Sequence, residues 1–275
     1  MITTATNAVQ GRARRRTGRY RVLVPVGRPE AAQGLVALAE TLVPMGMDGE
    51  IRPMHVASGE DIAAVTQSAM VALRGLQTSR GGTTRRFEPI VREGADVAQT
   101  IAAAAADVDA DLIVMGWQRP TLSRSLIDGT VARVMQESSA QVVVHYNRRP
   151  RPWKRVLVPY LYGDHDRAAV GVAQRLAQME AESVTILHVI EPDEEPAHTG
   201  RFRESVDGAW CEVRVVAAAD PLRAAVDEAR SGSYDAIVVG TSRAWGLAPA
   251  FLGIRHEQLA RETDASMLIV RAPRA

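Results

Sequence analysis

"DLIVMGWQRPTLSRSLIDGTVARV", residues 111 to 134, runs an apolar segment into Gly116, passes through a loop of hydroxyls and arginines, and reaches Gly129 and Thr130 at the head of a helical pattern. Glycines in such a place let backbone N–H groups approach an anion closely, and a helix start adds free donors for the same charge. The layout therefore raises the question of a phosphate cradle. It also returns downstream, where "DAIVVG" (235 to 240) matches "DLIVMG" (111 to 116).

The rest of the chain repeats as well. "YRVLVPV" (20 to 26) recurs as "KRVLVPY" (154 to 160), and "IRPMHVAS" (51 to 58) as "VTILHVIE" (184 to 191). Asp96 and Asp220, Gly116 and Gly240, and Gly129 and Gly253 all keep an offset of 124, whereas the first strands lie 134 apart. The second copy is thus about ten residues shorter between its second and third strands, opposite "LQTSRGGTTRR" (76 to 86), which reads as a flexible loop. Pro150 and Pro152 in "NRRPRPW" (147 to 153) break any continuing strand or helix between the copies. The expected organisation is a basic leader (1–19), a first unit (20–147) and a second unit (154–275).

Within each copy, short apolar runs alternate with helical patterns. "RVLVPV", "IRPMHV", "RFEPIVRE", "DLIVMG" and "QVVVHY" have the length and continuous apolarity of strands covered on both faces, which implies a buried parallel sheet. Leu35, Leu38, Leu42 and Val43 mark one helical face, and 61 to 76 and 96 to 108 read as further helices with Asp61 and Asp96 as N-caps. The fold class is α/β: two tandem doubly wound units, each a five-stranded parallel sheet in the order 3-2-1-4-5 with helices on both faces. Ligands of such sheets bind beyond the strand C-termini where the order reverses, here between strands one and four.

Composition limits what the units can do. With 275 residues, 46% of them apolar and 24% charged, the chain has the balance of a folded protein. Its 33 basic and 32 acidic side chains nearly cancel, so overall charge recruits neither nucleic acid nor membrane. Cys211 is the single cysteine, which excludes an internal disulfide and a thiolate cluster and suits a reducing compartment. No run is long enough to span a bilayer and the first residues lack a signal-peptide core, so the expected location is cytoplasmic. The arginines of "GRARRRTGR" (11 to 19) read either as a solvated leader or as a short basic arm for lipid headgroups.

Other clusters have plain readings beside sharper ones. "GDHD" (163 to 166) mixes residues that could ligate a divalent ion, but Asp164 also suits the cap of the helix that starts there, and no metal is inferred. His55 and His188 fall at equivalent strand ends, which favours packing over ligand contact. Trp117 and Trp245 lie in the two motif loops, and "SRGGTT" (79 to 84) follows a helix rather than a first strand. Catalysis is not expected. The chain holds one lysine, Lys154, ahead of a strand, and carries neither a G-x-S-x-G elbow nor an H-E-x-x-H helix.

Taken together, "VLVPV", the strand ending in "HV", "REGADVAQTI", "DLIVMG" and "LIDGTVARVM" resemble the universal stress protein family in tandem form, from Tyr20 onward. Nucleotide-binding members carry G-x2-G-x9-G-[ST] after strand four. The spacing survives here as Gly116, Arg119, Gly129 and Thr130, and as Gly240, Arg243, Gly253 and Ile254, with an arginine at the second glycine each time. Such members also place an aspartate after strand one, where this chain has Gly27 and Leu161. The resemblance implies an ATP or other anion site in the first unit, with Gly116, Arg119, Gly129 and Thr130 around phosphates and Val26, Gly27 and Val56 near the base. Arg119 either grips the anion or fills the site by reaching a carboxylate such as Asp128.

The function implied is a regulator that binds a small anionic ligand, a nucleotide or a protein partner. "RVLVPYLYGDHDRAAVGVAQRLA" (155 to 177) equally resembles the cytosolic regulatory tails of cation/proton antiporters and amino-acid or chloride transporters. A complete reading frame from Met1 would suit the free-standing regulator. Apolar fifth strands, "QVVVHY" and "SMLIVR", imply that the two halves pair as a pseudo-dimer within the chain, with a homodimer left open.

Overall fold

The computed structural model describes residues 18–58, 62–76, 86–117, 129–149, 151–161, 163–190, 210–241 and 254–274. Residues 1–17 of the leader, Asp61, the 77–85 loop with "SRGGTT", Arg119, Asp128, Pro150, Arg243, Trp245 and Gly253 lie outside them. The chain divides into two compact units.

The first unit builds β1 (Arg19–Pro25), α1 (Gln33–Thr41), β2 (Asp48–Ala57), α2 (Ile62–Gly75), β3 (Arg86–Phe87), β4 (Ile90–Glu93), α3 (Val97–Asp107), β5 (Leu112–Gly116), α4 (Gly129–Glu137) and β6 (Gln141–Tyr146). Its strand order is β3-β2-β1-β5-β6, with β4 also on β2, and β1 runs parallel to both β2 and β5. "RFEPIVRE" is therefore two short strands rather than one. Both pair with β2 in parallel, and the break falls at Glu88 and Pro89, where proline has no N–H to give to a ladder.

The second unit repeats the plan with β7 (Arg155–Tyr160), α5 (Asp164–Met179), β8 (Ser183–Ile190), β9 (Glu212–Ala217), α6 (Pro221–Gly232), β10 (Ala236–Gly240), α7 (Ile254–Glu262) and β11 (Ser266–Arg271). Its order is β11-β10-β7-β8-β9, all parallel. The order 3-2-1-4-5 thus holds in both copies, and the repeat offsets are visible in the pairing. Val22 pairs with Leu112 in the first copy, and Val156 with Ala236 in the second.

Covering on both faces explains the unbroken apolar runs. Val22, Leu23 and Val24, Leu112 to Val114, Val156 to Val158 and Ala236 to Val239 are all 0% exposed. Each fully buried aliphatic side chain stabilises the sheet by about 1.5–3 kcal/mol. Helix α1 lies on β1, β2 and β5, and α5 lies on β7, β8, β10 and β11. Leu38, Leu42 and Val43 are buried as their spacing predicts, while Leu35 is half-buried at the rim.

Local caps repeat too. Asp96 accepts from the Gln99 N–H (3.1 Å) at the start of α3, and Asp220 accepts from the Leu222 and Arg223 N–H groups (3.0 and 3.3 Å) at the start of α6. Between the copies, Trp153 is 0% exposed, with its indole N–H donating to the Arg149 carbonyl (3.2 Å) and the Arg151 guanidinium over its ring (5.4 Å). Arg151 also pairs with the buried Glu180 at 2.8 Å, so a charge-assisted contact anchors the segment before β7. Among the described residues no helix is long and apolar enough to cross a membrane.

Candidate functional site

The register of β1 and β5 brings the first group of site residues to one end of the sheet. From the pair Leu23 and Ile113, three residues further along each strand lead to Val26 and Gly116. Val26 is buried; its N–H donates to the Met54 carbonyl (2.8 Å) and its own carbonyl accepts from His55 Nδ1 (3.0 Å). Val56, one residue on, is half-buried at the same end of β2. Gly27 is exposed, and a Cβ there would meet nothing within 4 Å. A Cβ on Gly116 would come within 3.1 Å of one Leu35 methyl, the tip of a side chain that can rotate aside.

Gly129 is the first residue of α4, exposed and with open space around its Cα, and Thr130 beside it is half-buried. This helix start sets backbone N–H groups next to a hydroxyl. Arg133, one turn in, donates from Nη1 to both carboxylate oxygens of Asp96 at 2.8 and 2.7 Å and so ties α4 to the cap of α3. The Gln99 N–H, and after it Arg133, hold the Asp96 carboxyl below its ordinary range, so it stays ionised. The structure therefore brings Val26, Val56 and Gly116 together at the strand ends and sets Gly129 and Thr130 at a helix start. Arg119 lies outside the described residues.

The second copy has the same register and a different outcome. Tyr160 and Gly240 end β7 and β10, in the places that Val26, just past β1, and Gly116, the end of β5, hold in the first copy. Here, however, a Cβ on Gly240 would sit 2.5 Å from the His165 carbonyl carbon and 2.6 Å from the Asp166 amide nitrogen. Backbone, not a side-chain tip, fills the space over the glycine.

"GDHD" corrects one expectation. Gly163, not Asp164, is the N-cap of α5, and the carboxylate that closes the cap is Asp166, whose Oδ2 accepts from the Gly163 N–H (3.0 Å) and the Leu161 N–H (3.1 Å). An aspartate three residues into a helix can reach back to the cap N–H, whereas Asp164 faces solvent and pairs with Arg167. His165 Nδ1 accepts from the Ala272 N–H at 2.9 Å. The three side chains are engaged separately, and among the described residues no group of three His, Cys, Asp or Glu could hold a metal ion.

His55 and His188 play matching parts. Each Nδ1 donates to a carbonyl at the end of the neighbouring first strand, that of Val26 just past β1 at 3.0 Å and that of Tyr160 at 3.2 Å, and a carbonyl can only accept, so both rings carry the proton on Nδ1. Trp117 is buried, its ring 4.8 Å from that of Tyr146. Lys154 is exposed and pairs with Glu182 at 2.8 Å, which raises its pKa and keeps it charged at the surface.

Two roles escaped the sequence. Asp111 accepts from the Arg21 N–H (2.9 Å), and Asp235 from the N–H groups of Lys154 and Arg155 (2.9 and 3.0 Å), so an aspartate before strand four clamps the start of strand one in both copies. Their equal place in the repeat was the available signal. The burial of Asp166 had none, because a charged residue in a charged cluster reads as surface.

Against known proteins, the family model described as Universal stress protein family matches residues 19–145 and 152–271. The chain is similar to the Na(+)/H(+) antiporter NhaS5 of Synechocystis, 25% identical over 272 residues, which is 93% of this chain and 39% of that protein. It thus spans about two fifths of the length of that relative. Among solved structures, a universal stress protein from Archaeoglobus fulgidus shares the fold at TM-score 0.62 and 18% identity, covering 93% of this chain and 98% of the other. The cytoplasmic domain of a prokaryotic cation chloride cotransporter does so at TM-score 0.61 and 10% identity, covering 93% and 96%. Two successive matches, laid on a doubly wound sheet that repeats in register, show that the chain belongs to the universal stress protein family in its tandem form.

Proposed function

We propose that the chain is a non-enzymatic regulatory module of a membrane ion transporter, working on the cytoplasmic side and taking a small anionic ligand, with ATP the first candidate, in its first unit. The observation that carries this reading is the extent of the antiporter likeness, 272 residues covering both units and the segment between them. A transporter that carries the whole tandem arrangement is what a regulatory pair of units would resemble. The fold shared with a cotransporter's cytoplasmic domain supports the same reading.

Assigning the ligand to the first unit follows from steric room. Among the described residues, a Cβ on Gly27 or Gly129 meets nothing within 4 Å and one on Gly116 meets a leucine methyl, whereas Gly240 is packed against backbone. Gly129→Glu sets a carboxylate at the start of α4, where a Cβ meets nothing within 4 Å among the described residues. Repulsion at the helix start then lowers anion affinity by about tenfold or more. Isothermal titration with ATP at millimolar concentration measures this, and no heat from the parent chain ends the ATP assignment. Arg119→Gly tells how that side chain acts: higher affinity means that it fills the site, lower affinity that it holds the anion.

The transporter reading has its own test. Sodium-driven proton exchange, followed with a pH-sensitive dye in everted vesicles, shifts its pH profile when the gene for this chain is deleted from the source cells. An unchanged profile, with ATP still bound, leaves a free-standing stress regulator, the reading favoured by the near-complete coverage of the Archaeoglobus protein.

A further inference from the structure

The first turn of α5 rests directly on the end of β10. Asp166 in that turn is 0% exposed, and its Oδ1 lies 2.6 Å from where a Cβ on Gly240 would be. Oδ2 takes two backbone N–H donors, from Leu161 and Gly163, but Oδ1 has no hydrogen-bond partner. A neutral carboxylic acid suits this seat, with one oxygen accepting and the protonated one against the strand end. A carboxylate does not, because part of its charge would fall on an oxygen stripped of both water and donors.

We propose that Asp166 is a proton-binding site whose occupancy holds the first turn of α5 closed over the strand ends of the second unit. When the proton leaves, the anion regains solvation only if that turn lifts from Gly240 and admits water to Oδ1. Burial is the strongest influence on this carboxyl and pushes its pKa up to about 6, against the Gly163 and Leu161 N–H groups and Arg167, which pull it down. The proton is therefore released as the pH approaches neutrality.

The surrounding charged and titratable groups leave the seat to Asp166. On α5, Asp164 and Arg167 pair at the surface, Arg175 lies further along the helix, and His165 Nδ1 is taken by the Ala272 N–H. Tyr160 and, at the far end, Arg155 belong to β7. On β8, His188 donates to the Tyr160 carbonyl, and on β11 Arg271 donates to the Ala272 carbonyl at 2.6 Å. Strand β10 carries no titratable side chain, and none of these groups donates to Oδ1. Thr241, next to Gly240, is buried with a hydroxyl that also lacks a partner, so opening would hydrate two polar atoms at once.

The proposal concerns the second unit alone and does not rest on the transporter or ATP readings, since the purified chain suffices to test it. Carboxyl carbon NMR of the whole chain should place the Asp166 midpoint near pH 6. In the same window, amide exchange protection at Leu161 and Gly163 should fall by about tenfold or more, with the α6 amides unchanged. Asp166→Asn keeps the acceptor for both N–H groups but cannot ionise, so protection stays high on both sides of the transition. A midpoint at the ordinary carboxylate value, protection that ignores pH, or an Asn variant that opens like the parent overturns the proposal. If that variant does not fold, the titration of the parent chain decides alone.

Discussion

Gly240→Ala destabilises the second unit by about 3 kcal/mol, whereas Gly116→Ala, the same substitution in the same motif, stays within about 1 kcal/mol. The new methyl at 240 would meet the His165 carbonyl carbon at 2.5 Å and the Asp166 nitrogen at 2.6 Å, so α5 must move as a body or β10 must shift. Interiors are packed too densely to absorb such a displacement locally. At 116 the nearest atom is a Leu35 methyl at 3.1 Å, which a rotamer change removes. Urea unfolding midpoints of the two variants measure the difference. Equal losses would mean that α5 does not bear on the strand end as described.

Acidification from about pH 6.5 to about pH 4 costs the fold about 3 kcal/mol through His145. The ring is 6% exposed, stands edge-on to Trp153 at 5.3 Å, and has no partner for Nε2. Burial, and after it the Arg151 charge, lower its pKa to about 4. Above about 6.5 the imidazole is neutral in both states and its stabilising contribution is complete. As the pH falls the unfolded chain takes a proton that the folded one refuses, and stability drops until the folded ring also protonates near 4. His145→Phe, which fills the same space without titrating, flattens this limb of the urea-midpoint profile.

Asp166 tilts the profile the other way. Its folded pKa is raised from 3.8 to about 6, so its stabilising contribution is complete below 3.8 and is lost as the pH rises through about 6. His145 lies on β6, the last strand of the first copy, yet both groups belong to the compact unit that includes Val144–Ala272. Over the shared window their opposed slopes offset one another in the parent chain. Asp166→Asn therefore steepens the acid loss, and His145→Phe leaves a stability that declines with rising pH. A parent profile as steep as that of Asp166→Asn would contradict the offset.

Much of the architecture could be read from local signals. Two copies at offsets of 134 and 124 predicted that β1 and β7, and β5 and β10, hold equivalent places, and the pairing of Val22 with Leu112 and Val156 with Ala236 agrees. The cap at Asp96 and the equal packing of His55 and His188 follow from residue type and position within a few residues of chain. The break between β3 and β4 was also present in the letters, as a proline inside an apolar run, but the run's apolarity outweighed it. Asp164 suits the cap by its place at the opening of the helix, whereas the reach of a carboxylate back from the third helical residue depends on where the turn lies against the sheet.

The amino-acid sequence by itself determined that this protein is a duplicated, doubly wound α/β chain with an anion-cradle pattern in each copy, because strand period, caps and repeats are encoded over short stretches. Only the tertiary structure decided that the copies differ at their strand ends. After β1 the chain makes a short 3-10 turn, Pro29–Ala31, before α1 begins at Gln33, while α5 begins at Asp164, directly after Tyr160 to Gly163. The extra first turn of α5 carries Asp166 onto Gly240, and Gly116 has no such turn above it. The reason is geometric: contact between a glycine and a helix turn some 75 residues away depends on how long helices lie across a sheet, which no local pattern records.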